Sequence, residues 1–184
     1  MGSSAFEEII VDEVRSALAK ADEAQVVRLV DAIVNANRVF VGGAGRSLLM
    51  MKCFAMRLMH MGVDSHVVGE TITPAIEPGD LLIVGSGSGE TRTTLAIMQA
   101  GKSRGAETAC ITAHVAAAIP QAADLVLEIH SPITGHAPQP ASKQPPGSLF
   151  EQCLLVHCEG IVMRLMARLG TTEESMRTRH TKLE

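Results

Sequence analysis

The chain has 184 residues, 46% of them hydrophobic, which is enough for one domain with a substantial core that needs no disulfides. Its formal net charge is -4 and it has no strong basic run, which argues against a nucleic-acid-binding surface but allows a small anionic ligand. No uncharged apolar run approaches the roughly 20 residues of a membrane span, and the start lacks the features of a signal peptide, so we expect a soluble cytoplasmic protein.

Two helices are predicted at the start of the chain, near Phe6–Lys20 and Asp22–Asn37. Their apolar residues recur at close to the 3.6-residue period of a helix. These residues are Ile9, Ile10, Val14 and Ala17 in the first helix, and Val26, Val27, Val30 and Ile33 in the second.

After Arg38, short β-rich apolar runs alternate with helical stretches. The runs are RVFVGG, SHVVG, DLLIVGS, ETACIT and DLVLEIH, and the helices are expected near Ser47–Met61, Thr91–Arg104 and His114–Ala122. This alternation predicts an α/β fold, with five parallel strands in a doubly wound, flavodoxin-like sheet and helices on both faces. The second connection, residues 69–79, is too short for a full helix and is expected to hold a single turn.

The helix near Leu48–Met61 is rich in methionine and apolar around nearly its whole circumference. A helix of this kind must be covered all round, so we expect it in a core or in a subunit interface rather than as a promiscuous Met-rich binding surface. None of the four cysteines forms a C-x-x-C motif and each lies in an apolar segment, so buried, reduced thiols in a reducing compartment are expected.

The end of the chain combines a proline-rich loop with a long helix. Residues 131–147 hold five of the eight prolines and show no periodic pattern, and a loop of this length is usually functional or disordered. A helix then runs from about Ser148 to Leu169, with Gly170 as its stop, and opens a helical tail over residues 148–184. No repeat is visible, so residues 1–184 are interpreted as a single domain.

Glycine-rich turns follow the first and the third predicted strands, over residues 42–47 and 85–91. In a 2-1-3-4-5 sheet these strands are neighbours, and the sheet changes direction between them. Ligands bind at such a switch point, outside the carboxyl ends of the strands. We therefore expect both turns to line one crevice.

A dinucleotide site is the obvious competitor for this crevice. The first turn offers Gly43 and Gly45 as G-x-G, and Glu70 lies at about the distance expected for a ribose-binding acid. Leu48, however, stands where the third glycine belongs, and an incomplete fingerprint is a weak signal. A Walker A loop is excluded more firmly, because no Gly-Lys-Ser/Thr follows either turn.

The second turn, GSGSGET, has the properties of a phosphate cradle. Its glycines let the backbone come close to a ligand, and the helix that follows points free N–H groups at the turn. Ser86, Ser88 and Thr91 add hydroxyl donors without a positive charge. The alternative is an ordinary serine-capped turn between a strand and a helix, which the presence of a second glycine turn opposite makes less attractive.

The motifs GAGRS and SGSGET resemble the sugar isomerase (SIS) domain family, which binds phosphosugars. Within that family, FAMRLMHMG, VVGETITPAIEPGDLLIVGSGSGET, GSLFEQ and the tail RHTKLE are similar to the 6-phospho-3-hexuloisomerases of the ribulose monophosphate pathway of formaldehyde assimilation. The resemblance covers about residues 38–184 and is loosest in the proline-rich loop. It implies interconversion of D-arabino-hex-3-ulose 6-phosphate and fructose 6-phosphate by a homotetramer built from dimers, without metal or organic cofactor.

The resemblance also implies roles for individual residues. Glu151 is the candidate catalytic base and His60 its candidate partner. The expected substrate-binding residues are Gly45, Arg46 and Ser47 after the first strand and Ser86, Gly87, Ser88 and Thr91 after the third.

Moving a carbonyl from C3 to C2 requires removal of the C2 proton, an enediol, and return of a proton at C3. A carboxylate and an imidazole suit these proton transfers. Binding of the phosphate group holds C2 and C3 in place beside the base. From the residues alone, Ser148 and Glu151 also match the S-x-x-E capping box, and His60 also matches a histidine favoured at a helix C-terminus. His60 could equally complete a neighbouring subunit's site, since its helix is a natural subunit contact.

Four further residues have open or minor roles. Cys153 and His157 have metal-ligand spacing on one helix, but with no further ligand pair a packed thiol and imidazole are favoured. His180 is an exposed tail residue by default and a weak site candidate, and Arg46 either faces the ligand anion or forms a surface pair.

The alternative functions are another phosphosugar aldose–ketose isomerase and a non-catalytic phosphosugar sensor.

Overall fold

A computed structural model describes residues 4–133 and 142–182. The elements are α1 (Ser4–Leu18), α2 (Glu23–Asn35), β1 (Val39–Gly43), α3 (Gly45–Met61), β2 (Ser65–Val67), β3 (Leu81–Ser86), α4 (Arg92–Ser103), β4 (Glu107–Thr112), α5 (Ala118–Ala122), β5 (Leu125–Glu128), α6 (Ser148–Leu169) and α7 (Glu173–Thr178). The central part of the proline-rich loop lies outside the described residues, as do the last two residues of the tail motif.

The five strands form one parallel sheet in the order β2-β1-β3-β4-β5, which confirms the predicted fold class and strand order. Right-handed crossovers require a helix or a long connection between successive parallel strands, and the alternating sequence supplies them. The register pairs Val41 with Ile83 and Gly43 with Gly85. The two glycine turns therefore leave the sheet side by side at its carboxyl edge.

Side-chain alternation along the strands divides the core into two layers. Val39, Val41 and Ile83 face the larger layer, in which residues of α2, α3 and α6 are buried. Phe40 and Leu82 face the smaller layer, which contains residues of α4 and α5. Helices therefore cover both faces, as the sequence predicts.

One element prediction needs correction. Helix α5 has only five residues, because residues 114–117 form a turn closed by a hydrogen bond from Ala117 N to His114 O (3.1 Å). The connection over residues 69–79 contains turns and no helix. Helix α6 ends at Gly170 in the left-handed region (φ 64°), as predicted, and a second short helix, α7, begins with a capping box between Thr172 and Ser175.

Helix α3 is covered on one side only within this chain. Met51, Phe54 and Leu58 are buried, whereas Leu49, Met56 and Met59 are 55%, 57% and 41% exposed. The expectation that all four thiols are buried is wrong for Cys53, which lies on the outer side of α3. Cys110, Cys153 and Cys158 are buried, and all four are free. Within the described residues, no helix is long and apolar enough to cross a bilayer.

Candidate active site

The β3–α4 turn is held in shape largely by its own side chains. The Ser86 hydroxyl accepts a hydrogen bond from Gly89 N (3.2 Å) and lies 3.4 Å from the Thr91 hydroxyl. The Ser88 hydroxyl accepts from Glu90 N (3.3 Å). Gly89 adopts φ 66°, a left-handed conformation that side chains disfavour. Helix α4 then begins with Thr91 as its N-cap and without a side-chain capping bond, so its first N–H groups have no partner within the helix.

Glycines in this turn also allow close packing by neighbouring helices. A Cβ atom at Gly87 would lie 3.0 Å from the Phe150 ring of α6, and one at Gly85 would lie 3.0 Å from Met51 of α3. Both distances are shorter than comfortable van der Waals contact. Residues with side chains at these positions would push α3 or α6 away from the turn.

The β1–α3 turn supplies the opposite side. Helix α3 begins at Gly45, two residues earlier than the sequence predicts, and Gly45 has φ 54°. Ala44 is the N-cap and makes no side-chain capping bond, so this helix also presents unpaired N–H groups in its first turn. Two helix N-termini, those of α3 and α4, therefore converge beside the sheet edge, which favours an anion.

A cavity of about 370 Å³ lies between these turns and the start of α6. It is lined by Ala44 and Ser47 from the first turn, Gly85, Ser86, Gly87, Ser88 and Thr91 from the second, and Pro132, Gly147, Phe150 and Glu151 from the carboxyl-terminal part. The sequence-predicted residues Ser47, Ser86, Gly87, Ser88, Thr91 and Glu151 are thus brought together. The lining residues within 4–133 and 142–182 include no lysine or arginine, and N–H groups and hydroxyls are the donors that these residues offer.

Glu151 reaches the cavity from the first turn of α6. Its side chain is 12% exposed and pairs with Nε of Arg46, whose side chain is 67% exposed. Arg46 therefore forms an ion pair at the cavity rim, and its partner is the candidate base. The sequence left open whether Arg46 faces an anion or forms a pair, and the structure shows the pair.

The capping-box alternative for Glu151 is not formed. The N-cap of α6 is Gly147 (φ 87°), not Ser148, and it makes no side-chain capping bond. Glu151 is therefore the fourth helical residue, and its N–H donates to Gly147 O (3.1 Å). Its carboxylate therefore pairs with Arg46 and lines the cavity.

His60 lies far from this cavity within the same chain. It is near the end of α3, fifteen residues after Gly45, which places it about 22 Å away along the helix axis. Its ring is buried, and it stacks on His180 with 5.1 Å between the ring centroids. Burial lowers the pKa of His60, and the nearby His180 and Arg57 lower it further.

His180 is exposed, as expected of a tail residue, but it is not isolated. The preceding residue, Arg179, donates to the His60 carbonyl (3.4 Å) and to the Ser175 carbonyl (3.2 Å), so α7 and the tail are fixed against the end of α3. No local sequence pattern predicts this packing, because the two segments are separated by more than a hundred residues.

The competing sites receive little support from the geometry. Glu70, the candidate ribose ligand, forms an ion pair with Lys52 (2.5 Å). Burial raises the pKa of Cys153 to about 11 and lowers that of His157, which suits a packed thiol and a neutral imidazole. Among the described residues, no group of three or more His, Cys, Asp or Glu side chains could hold a metal ion.

Three lining residues were not predicted: Pro132, Gly147 and Phe150. Phe150 directly precedes the candidate base, and its ring packs against Gly87. Gly147 is the N-cap of α6. The sequence predicts the proline-rich loop and the boundary of α6. It does not predict that they contact a turn about sixty residues earlier, because no local pattern encodes that contact.

Comparison with known proteins gives a consistent result. Residues 32–152 match the SIS domain family. The 3-hexulose-6-phosphate isomerase of Bacillus subtilis is 40% identical over 176 residues, covering 95% of each chain. That of Mycobacterium gastri is 42% identical over 176 residues, covering 96% of this chain and 88% of the relative.

Solved structures agree. A Methanococcus jannaschii crystal structure, reported to infer a molecular function of 3-hexulose-6-phosphate isomerase, superposes with a TM-score of 0.85 at 30% identity and covers 98% of this chain and 99% of that one. A hypothetical protein superposes with a TM-score of 0.88 at 32% identity, covering 97% and 96% of the two chains.

Proposed function

The chain belongs to the SIS domain family, and we propose that it is an isomerase that interconverts D-arabino-hex-3-ulose 6-phosphate and fructose 6-phosphate. One observation carries the proposal: a carboxylate, Glu151, opens into the same cavity as both hydroxyl-bearing glycine turns. A phosphosugar isomerase requires a phosphate-binding site and a general base in the same cavity. Named relatives about 40% identical along nearly the whole chain specify the substrate.

In this proposal the two turns hold the phosphate. The hydroxyls of Ser47, Ser86, Ser88 and Thr91, with the first N–H groups of α3 and α4, donate to its oxygens. Gly45 and Gly87 let the backbone approach it. Binding of the phosphate, which is remote from the reacting carbons, positions C2 and C3 beside the base. The binding energy is thus used to orient the substrate.

Glu151 then moves the proton. Its carboxylate takes the C2 proton, the freed electron pair forms the C2–C3 double bond, and the C3 carbonyl oxygen takes a proton from solvent to give the enediol. The protonated Glu151 then returns its proton to C3 while the C2 hydroxyl gives its proton back to solvent and becomes the C2 carbonyl. Fructose 6-phosphate forms, and Glu151 is again ionised, with no net gain or loss of protons. The Arg46 guanidinium pairs with Glu151 and so orients it at the cavity rim. General acid–base catalysis of this kind contributes roughly 10²–10⁴-fold.

The substitution Glu151→Gln tests the base. Because the amide cannot take a proton, kcat with hexulose 6-phosphate should fall by about 10²–10⁴-fold while KM changes little. Glu159→Gln is the matched control, because Glu159 lies on the same helix and its carboxylate forms an exposed ion pair with Arg57 (3.3 Å). Activity of Glu151→Gln within about tenfold of wild type would reject the assignment.

Substrate choice is tested with a small panel. Hexulose 6-phosphate, arabinose 5-phosphate and sedoheptulose 7-phosphate are assayed with the same preparation. We expect turnover of the first alone. Turnover of another sugar instead would establish a different phosphosugar isomerase, and binding without turnover of any would establish a sensor.

We propose that His60 acts in a neighbouring subunit's site, because it cannot reach the cavity of its own chain. Mixing inactive His60→Ala subunits with inactive Glu151→Gln subunits provides the test. Hybrids that carry one intact site should recover part of the activity. Complete absence of recovery in verified hybrids would contradict a shared site.

We also propose a single domain that assembles as a homotetramer in the cytoplasm. Uncovered apolar side chains support the assembly: Leu49, Met56 and Met59 on α3, and Val11 and Val156 beside the groove between α1 and α6. Free cysteines suit a reducing compartment. Light scattering measures the mass in solution, and a monomer would contradict the tetramer.

A further inference from the structure

Glu13, on the amino-terminal helix α1, binds the chain segment that leads into α6. Its carboxylate accepts hydrogen bonds from the Ser142 hydroxyl (2.6 Å), from Lys143 N (2.8 Å) and from the Gln144 side-chain amide (2.9 Å). These partners are about 130 residues away in the sequence. One side chain thus holds three consecutive residues.

The contact continues to the helix that carries Glu151. The side-chain amide of Gln152 donates to the side-chain oxygen of Gln144 (2.8 Å). Gln144 therefore bridges Glu13 on one side and Gln152 on the other. Gln152 directly follows Glu151, so an unbroken series of hydrogen bonds joins α1 to the first turn of α6.

This series of hydrogen bonds contacts α6 near its N-terminus, where the helix has no side-chain capping bond. The helix begins after Gly147 in the left-handed region, and its N-cap makes no side-chain capping bond. A short backbone turn, Ser148 N to Pro145 O (3.1 Å), precedes it. Buried Leu149 and Phe150 pack this first turn against the core, and the contacts of residues 142–144 fix the segment that leads into it.

The charge of Glu13 strengthens the contact. Partial burial works to raise the pKa of this carboxyl, but the hydrogen bonds from Ser142, Lys143 and Gln144 outweigh it and the pKa is lowered. Glu13 is thus ionised at neutral pH. Hydrogen bonds to an ionised acceptor are roughly twice as strong as neutral ones.

We propose that Glu13 is a positioning residue for the isomerase reaction, which sets the place of the Glu151 carboxylate through Gln144 and Gln152. The inference rests on the proposed role of Glu151 as base. Glu13 itself does not line the cavity of the two glycine turns. A displacement of about 1 Å in a catalytic group can reduce the rate about 10²-fold, so a contact outside the cavity can govern the rate.

The test compares Glu13→Ala, Glu13→Gln and Glu8→Ala in the full-length protein with hexulose 6-phosphate as substrate. We expect Glu13→Ala to lower kcat by about ten- to a hundredfold with KM within about threefold, because the phosphate grip is made elsewhere. Glu13→Gln keeps one acceptor oxygen and should recover part of the loss. Glu8 is exposed on the same helix, and Glu8→Ala should leave both constants unchanged.

Two measurements separate positioning from a general loss of structure. Amide hydrogen exchange in Glu13→Ala should rise in residues 148–152 and stay unchanged in residues 85–91. In the Glu151→Gln background, Glu13→Ala should lower kcat by less than about threefold, because the group it positions is already gone. Exchange that rises throughout the chain, or an undiminished loss in that background, would overturn the inference.

The outcome also distinguishes this inference from the proposed function. If Glu151→Gln is impaired while Glu13→Ala is fully active, the positioning role is wrong and the base assignment stands. If Glu151→Gln is fully active, the base assignment is wrong and the positioning role goes with it, whatever hydrogen exchange shows.

Discussion

The β3–α4 turn and the first turn of α6 face the same cavity, but their stabilising contacts differ in sequence separation. The β3–α4 turn is closed by hydrogen bonds between residues two to five apart, centred on Ser86. The start of α6 is held by Arg46, 105 residues away, and by Glu13 through Gln144, 131 residues away. The proposed binding side thus relies in part on hydrogen bonds within one turn, whereas the proposed catalytic side relies on contacts between residues more than a hundred positions apart.

Breaking the local turn should have the largest effect. Gly89→Ala places a Cβ atom 2.6 Å from that of Ala117 and holds a side chain at φ 66°, so the free energy of unfolding should fall by about 3 kcal/mol. Gly69→Ala is the control, since it has φ 95° and open space around its Cβ, and should cost about 1 kcal/mol. Urea unfolding measures both, and equal losses would contradict the role of the close contact.

Removing hydroxyls from the same turn should weaken substrate binding without affecting the base. Hydrogen bonds to charged groups are worth about 1.5–3 kcal/mol each, so Ser88→Ala and Thr91→Val should each raise KM by about 10- to 100-fold with kcat within about threefold. Ser103→Ala, which removes an exposed hydroxyl at the end of α4, is the control. A fall in kcat at constant KM would place these hydroxyls with the chemistry instead.

Breaking the long-range ion pair should show the opposite pattern. Arg46→Met leaves Glu151 without its partner, and kcat should fall by about five- to tenfold with KM within about threefold. Arg57→Met removes the comparable surface pair with Glu159 and should be neutral. A large rise in KM at constant kcat would assign Arg46 to the phosphate rather than to Glu151.

The smallest expected effect is the dependence of stability on pH. The pKa of His157 in α6 is lowered by burial and then by Arg164 and His130, so the unfolded chain binds a proton more readily than the folded one below pH about 6.5. The free energy of unfolding should therefore fall as the pH drops through this range. His157→Gln should flatten the dependence. The hydrogen-exchange protection factors of α6, which are corrected for the intrinsic exchange rate at each pH, should fall with acid while those of the β3–α4 turn stay constant.

Local patterns determined the sheet and the binding side. Alternating β-rich runs and helices sufficed for the strand order, because right-handed crossovers leave few other arrangements. The register that sets Gly43 beside Gly85 follows from that order. That Ser86, Ser88 and Thr91 line one cavity was predictable, because glycine, serine and helix N-terminus signals act over a few residues.

Only the tertiary structure decided how the remaining groups are combined. It paired Glu151 with Arg46, stacked His60 on His180 about 22 Å from the cavity, and left Cys53 exposed although it lies in an apolar segment. Sequence spacing fixes which residues share a helix face, but it does not fix which surface of another element meets that face. Contacts such as that of Glu13 with Ser142 arise once the core has packed, because packing alone brings residues about 130 positions apart within hydrogen-bond distance.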